Sequence, residues 1–349
     1  MIPITDLLTK KPVQASAPCR IDSGGTWDIK ALALPLEAVN PTTVNIALSL
    51  RTRAVLHPFE EGKVKIRSTG FDHPETGFID RLPFDTRFGL FFAAVSFFGF
   101  HGVEIRIDSE SPIRSAMGGS STALVALIKA LSKVSVMVSG KGYVRREILH
   151  LAYHLEDGVS GGNCGIQDQA AAVYGGVHQW EWCYGNRSAP LRKIPLLDPE
   201  GRKALSRRLL IIYSGKRHTS SETNLRWIRD FLSGSTRARW IRANQTVRRF
   251  GRAVHQRDWK LAAALLREEM SIRREVTPGA ITPFTEELIE QAEEVGCGAR
   301  FAGAGAGGSL WAVGSLKNIE RLRERWSASA ERVKGARLLD CTVDSAGVR

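Results

Sequence analysis

Apolar residues recur along this chain with two different periods, and the places where the period changes mark where strands give way to helices. Thr43 to Val55 is rich in β-branched residues, and Val103 to Ile107 alternates apolar with charged positions, so both read as strands of one sheet. Between them lies the most apolar stretch, Phe88 to Phe100. A bilayer-crossing helix takes about 20 apolar residues, which this run does not reach, so the pattern predicts a buried helix and no membrane span. Thr122 to Val138 places Leu124, Leu127, Ile128 and Leu131 at helical spacing, and Tyr143 to Asp157 predicts a second helix leading into a loop from Gly158 to Gly165.

Trp180 to Glu200 then carries Gly185, Pro190, Pro195 and Pro199 among polar residues, the composition of a linker. Single cores stop growing at roughly 250 to 300 residues. A chain of 349 residues is therefore expected to form two domains, here 1–195 and 196–349. The second begins with a strand, Leu209 to Tyr213, followed by long helical stretches to about Arg274 and a helix from Thr282 to Val295. A glycine-rich turn at Gly303 to Gly308, a strand at Leu310 to Val313, a charged helix near Asn318 to Trp326 and a last strand from Arg337 complete the reading.

Composition adds three constraints. With 43% hydrophobic and 24% charged residues the chain belongs with ordinary globular proteins. The five cysteines are scattered without a C-x-x-C pair, which points away from a zinc cluster or disulfide framework. Met1 to Ala15 has no basic segment followed by an apolar run, so a cytoplasmic protein without a secretory signal is expected. The net charge of +13 is concentrated between Arg202 and Arg274, which fits either attraction for anionic ligands or a solvated basic helix face.

Three segments carry candidate chemistry. The first is the turn Ala116-Met117-Gly118-Gly119-Ser120-Ser121-Thr122, which follows a strand and opens a helix. Small residues there let backbone N–H groups close around phosphate oxygens at a helix N-terminus. It lacks the lysine of a Walker A loop, so backbone and hydroxyls would hold the anion, leaving Ser120 or Ser121 to ligate Mg²⁺. A plain small-residue helix cap fits the same residues. The second segment, Asn163 to Gln169, presents Asp168 where a carboxylate would orient and deprotonate a hydroxyl, or serve only the helix dipole. Glu156 in the preceding helix offers a carboxylate for Mg²⁺. The third, Phe301 to Ser309, is either a second ligand-facing loop or a tight turn needing positive φ.

In this order and spacing the segments resemble the three motifs of the GHMP kinases, the family of galactokinase, homoserine kinase, mevalonate kinase and phosphomevalonate kinase. The first motif is Ala17-Pro18-Cys19-Arg20-Ile21-Asp22 with Gly24-Gly25-Thr26-Trp27-Asp28; the Ala116 turn and Gly303 to Gly308 are the second and third. The aspartate loop looks like that of galactokinase, and the residues after Ile21 look like fucose and heptose kinases. The resemblance implies an α+β protein of two domains, the first with a ribosomal-protein-like βαβ unit and the second ferredoxin-like. It implies MgATP as phosphoryl donor and a sugar or sugar phosphate as acceptor, with the anomeric hydroxyl the candidate position. Asp168 would be the base and Arg20 the group that offsets developing charge. Ser121 or Ser120 with Glu156 would hold the metal, and Asp22, Asp28, Gly165 and Gly305 would face the sugar. The chain departs from the family pattern at Ala116 and Ala306, where glycine is usual, and inverts the usual Trp-Thr order at Thr26-Trp27. Monomer and homodimer are both compatible with the reading. A non-catalytic sensor of the same fold and, below it, a basic RNA-binding protein are the alternatives, both ranked under the kinase because neither needs Asp168, Glu156 and three ordered motifs together.

Overall fold

The computed structural model describes residues 1–24, 27–217 and 221–349, with backbone alone for 221–223. Gly25 and Thr26 of the first motif lie outside the described residues. The first half is built on a seven-stranded sheet whose spine is the 17-residue strand Thr42–Pro58. Val13–Asp22 runs along one edge of that spine, and Val103–Ser109 and Val177–Trp182 share the two halves of the other. Lys63–Ser68 and Glu75–Phe78 extend the sheet on one side and Leu191–Pro195 on the other. Between the pairs Pro18–Arg51 and Arg20–Ala47 the spine carries residues 48–50 against Cys19 alone. This irregularity falls next to Arg20.

Helices Gly89–Phe98, Gly119–Ser139, Arg145–Val159 and Gln167–Tyr174 join this half, and Gly119–Ser139 packs directly on Val13–Asp22 and Thr42–Pro58. Leu124, Val125, Leu127, Ile128 and Leu131 of that helix are fully buried. Among the described residues it is the one helix long and apolar enough to cross a membrane, and its most apolar stretch is 67% buried within the fold, as a core helix is. The helix starts at Gly119, three residues before the periodicity announces it. Phe88 to Phe100, expected as one buried helix, divides into Gly89–Phe98 and a short strand, Phe100–His101, with Gly99 in the left-handed region at the break.

The segment with a linker's composition turns out to be mostly strand. Val177–Trp182 and Leu191–Pro195 form a hairpin at the edge of the first sheet. Prolines bracket the outer strand, where a missing N–H leaves no ladder bond unmade. The second sheet begins at Leu209–Ser214 and is antiparallel throughout, in the order Gly298–Phe301, Ser309–Val313, Leu209–Ser214, Ala336–Leu339. Four longer helices separate its first two strands in sequence, and Leu316–Glu331 precedes the last. This βαββαβ arrangement is the ferredoxin-like one.

Candidate active site

A cleft of about 500 Å³ is lined mainly by the first half, with Arg20, Asp28, Ala116, Gly118, Ser121, Glu156 and Asp168, and closed by Trp227 and Gly303 of the second. Its floor is the turn before helix Gly119–Ser139. Arg114, Ala116 and Gly118 all take left-handed backbone there, at φ of +54°, +62° and +76°. The N–H of Thr122 bonds the Gly118 carbonyl, closing the first helical turn. The N–H groups of Gly119, Ser120 and Ser121 precede that bond and are donors that helix geometry leaves for a ligand. The nest and the helix cap are thus the same structure.

The third motif is stitched to this turn by backbone contacts. The Ser309 N–H bonds the Ser115 carbonyl at 2.8 Å. A Cβ on Gly303 would stand 2.6 Å from the Ala116 carbonyl, and one on Gly308 would stand 2.8 Å from both the Ala116 Cβ and the Ser115 carbonyl. Close approach requires glycine at both positions, and Gly308 also takes a positive φ of +77°. Gly303 and Ala304 line the cleft, whereas Gly305 lies against Ala280 and does not.

Arg20 gathers the three motifs. Its Nε donates to Asp168 Oδ1 at 2.7 Å, and its Nη1 donates to the carbonyls of Ala116 at 2.9 Å and Ala302 at 2.6 Å. Burial works against the guanidinium charge, but Asp168 and Asp22 outweigh it and hold the group above its ordinary range. Asp168 stands at the head of helix Gln167–Tyr174, packed so near the phosphate turn that a Cβ on Gly118 would reach its Cγ at 3.0 Å. The carboxylate is therefore fixed beside the anion nest and turned toward the cleft.

Glu156 is a half-buried neighbour of both serines. Burial raises its carboxyl to about 7, opposed by hydrogen bonds from Ser121, Gln169 and Ser120 and reinforced by the Asp168 charge. The Gln169 amide donates to it at 2.6 Å. Asp28 is buried, and its carboxyl is likewise raised to about 7, by burial first, with the Asp168 charge adding and the Gln167 N–H opposing. That N–H donates to Asp28 Oδ2 at 3.1 Å, while Oδ1 has no protein partner. Gly165 approaches so closely that a Cβ would stand 1.8 Å from Oδ2. Gly165 thus permits Asp28 its place.

Asp22 also borders the cleft, and its carboxylate is shared between Arg20, at 3.8 Å, and partners behind the cleft. Arg300 pairs with it, the Gly24 N–H donates to its Oδ1 at 3.0 Å, and the Trp311 indole donates to its carbonyl at 3.0 Å. Arg300 continues to Glu269 at 3.1 Å, and Glu269 pairs with Arg273 at 2.9 Å. This buried chain of charges joins the end of the first sheet's strand to the second sheet. No sequence motif flags Arg300, Glu269 or Arg273. The apolar end of the cleft, with Phe71, Phe91, Ile107 and Ile113 beside Ser68 and Ser109, was equally silent, because scattered apolar residues carry no spacing signal.

Two family models match the chain: GHMP kinases N terminal domain over residues 88–176 and GHMP kinases C terminal over 252–332. A mevalonate kinase of Pyrococcus horikoshii is 22% identical over 359 residues, covering 97% of this chain and 98% of that protein. Among solved structures, a Lactococcus lactis galactokinase complexed with galactose superposes with a TM-score of 0.73 at 17% identity, covering 99% of this chain and 97% of that one. A Streptococcus pneumoniae phosphomevalonate kinase in complex with phosphomevalonate and AMPPNP gives 0.70 at 14% identity, covering 95% and 99%.

Proposed function

The chain belongs to the GHMP kinase family, and from that premise we propose that it transfers the γ-phosphoryl group of MgATP to a hydroxyl of a monosaccharide or sugar phosphate. The observation that carries this reading is the meeting of Arg20, Ala116, Asp168 and Ala302, drawn from segments far apart in sequence, at one point of one cleft. The triphosphate fits the nest formed by Ala116 to Thr122, whose free N–H groups suit phosphate oxygens. The nucleobase fits the apolar end between Phe71 and Ile113, and the acceptor fits the end lined by Asp28, Gly165 and Asp168.

In the transfer, the acceptor oxygen forms a bond to the γ-phosphorus, the bond to the β–γ bridging oxygen breaks, and that oxygen leaves on ADP. Asp168 accepts the acceptor proton, and Arg20 holds the carboxylate in place while offsetting charge on the transferring group. The residues fit a magnesium ion. Glu156 would supply one carboxylate and Ser121, or Ser120, a hydroxyl, the two kinds of side chain that meet there, with the remaining oxygens coming from the phosphates. The ion would neutralise phosphate charge when bound. The anomeric hydroxyl is the candidate position. A division at 195/196, a cytoplasmic location and a monomeric or homodimeric state complete the proposal.

The galactose-bound relative supports a sugar acceptor, and the test is direct. ADP release is measured with galactose, fucose, arabinose, mannose, heptoses and their phosphates. Turnover with one of them is expected. ATP binding without ADP formation from any of them would contradict the kinase reading and favour a sensor.

A further inference from the structure

Arg20 and Asp22 stand two residues apart on one strand, in a regular stretch of its pairing, so the pleat turns both side chains to the same face. They are buried, at 6% and 4% exposure. A guanidinium and a carboxylate so placed are expected to form a hydrogen-bonded pair, because neither has water as a substitute partner. Here they do not. The Arg20 Nη1 stops 3.8 Å from Asp22 Oδ2, beyond hydrogen-bond reach, and donates instead to the carbonyls of Ala116 and Ala302, while Nε and Nη2 serve Asp168.

Arg300 is what occupies Asp22. Its Nη1 pairs with Asp22 Oδ1 and donates to the Asp22 carbonyl at 2.5 Å, and the charges of Glu269 and Asp22 hold the guanidinium ionised against burial. Among the described residues Asp22 has two cationic partners, Arg300 and Arg20. Without the Arg300 charge, the cation left within reach of this buried carboxylate is Arg20, whose Nη1 would have to leave Ala116 and Ala302 to meet it. Glu269, by contrast, would keep Arg273 at 2.9 Å, a guanidinium itself held over the rings of Trp227 and Trp240. Resting on the kinase reading above, we propose that Arg300 is a positioning residue for phosphoryl transfer: by satisfying Asp22 it reserves Arg20 for Asp168 and for the transferring group.

The test uses the full chain, MgATP and the sugar that turns over in the screen above. Arg300→Met is expected to lower kcat by about 100-fold with the KM of ATP nearly unchanged, the loss that follows from a displacement of about 1 Å at the reacting centre. Arg300→Lys keeps a cation for Asp22 and should lose less than about tenfold. The decisive variant combines Arg300→Met with Asp22→Asn. Removing the competing charge should raise kcat about tenfold above that of Arg300→Met alone, whereas a merely structural role makes the double variant as slow as the single one or slower. A wild-type kcat in Arg300→Met, or a double variant no faster than it, overturns the proposal. If Arg300→Met does not fold, the double variant, which leaves no charge of Asp22 unpaired, decides: kcat within about tenfold of wild type upholds the proposal and a loss of about 100-fold overturns it. One readout needs no turnover. The Arg20 Nε–H, bonded to Asp168, should give a slowly exchanging NMR signal that Arg300→Met abolishes and the double variant restores. If no acceptor yields ADP, the kinase reading fails and this signal still decides the role of Arg300; the same signal in all three proteins overturns it.

Discussion

Glu156 and Asp28 show what burial does to a carboxylate held ready for a ligand. Each has a carboxyl raised to about 7, well above the ordinary values of 4.5 and 3.8. Between those ordinary values and about 7 the folded chain binds more protons than the unfolded one, so stability falls as pH rises through that window and levels off above it. Ligand-free protein should therefore lose thermal stability from about pH 4 to about pH 7. On the proposed metal site, MgATP should recover part of that loss, because a metal ion would take the place of the Glu156 proton. Melting temperatures across pH, with and without MgATP, check this, and Glu156→Gln should remove the metal-dependent part. Asp22 shows the opposite case. Expected from the resemblance to face the sugar, it lies at the cleft but divides its carboxylate between Arg20 and Arg300, the second a partner that no pattern in Gly298–Phe301 announces.

At the scale of elements, the helix Gly119–Ser139 and the Gly303 to Gly308 turn form one unit. The two alanines that stand where glycine is usual, Ala116 and Ala306, both keep left-handed backbone, at φ of +62° and +60°. An L-residue there costs about 1–2 kcal/mol, so the conformation is retained against its own preference. Gly308 is what makes room for the Ala116 methyl. Gly308→Ala places a Cβ at φ +77° and 2.8 Å from that methyl, and is expected to raise ATP KM by about tenfold or more by displacing the turn. Steady-state kinetics at varied ATP reads it; an unchanged ATP KM would separate the two loops. The turn was legible in sequence as small residues before a helix, but its true start was not. Gly119, Ser120 and Ser121 have no apolar side chain, so the periodic reading begins only at Thr122. The edge hairpin was lost for a similar reason: its prolines and polar residues suit an exposed strand and a linker alike.

At the scale of the whole molecule, the order of three motifs was enough to foresee two halves with a cleft between them, and the ferredoxin-like second sheet follows that expectation. What spacing could not supply was how the halves are joined, since Asp22, Arg300, Glu269 and Arg273 meet only after folding. The basic excess also resolves in three dimensions. Arg239 and Arg242 meet Glu275, Arg249 meets Glu268, and Arg274 meets Glu286, so part of the positive stretch is a paired helix surface. The central claim is that folding brings Asp168 and Arg20 to the mouth of the phosphate nest to run phosphoryl transfer. Its most direct test is the turnover of Asp168→Asn measured beside its ATP affinity. The account predicts a loss in kcat of about 10²–10⁴-fold with ATP binding nearly unchanged. Wild-type turnover in that variant would contradict it.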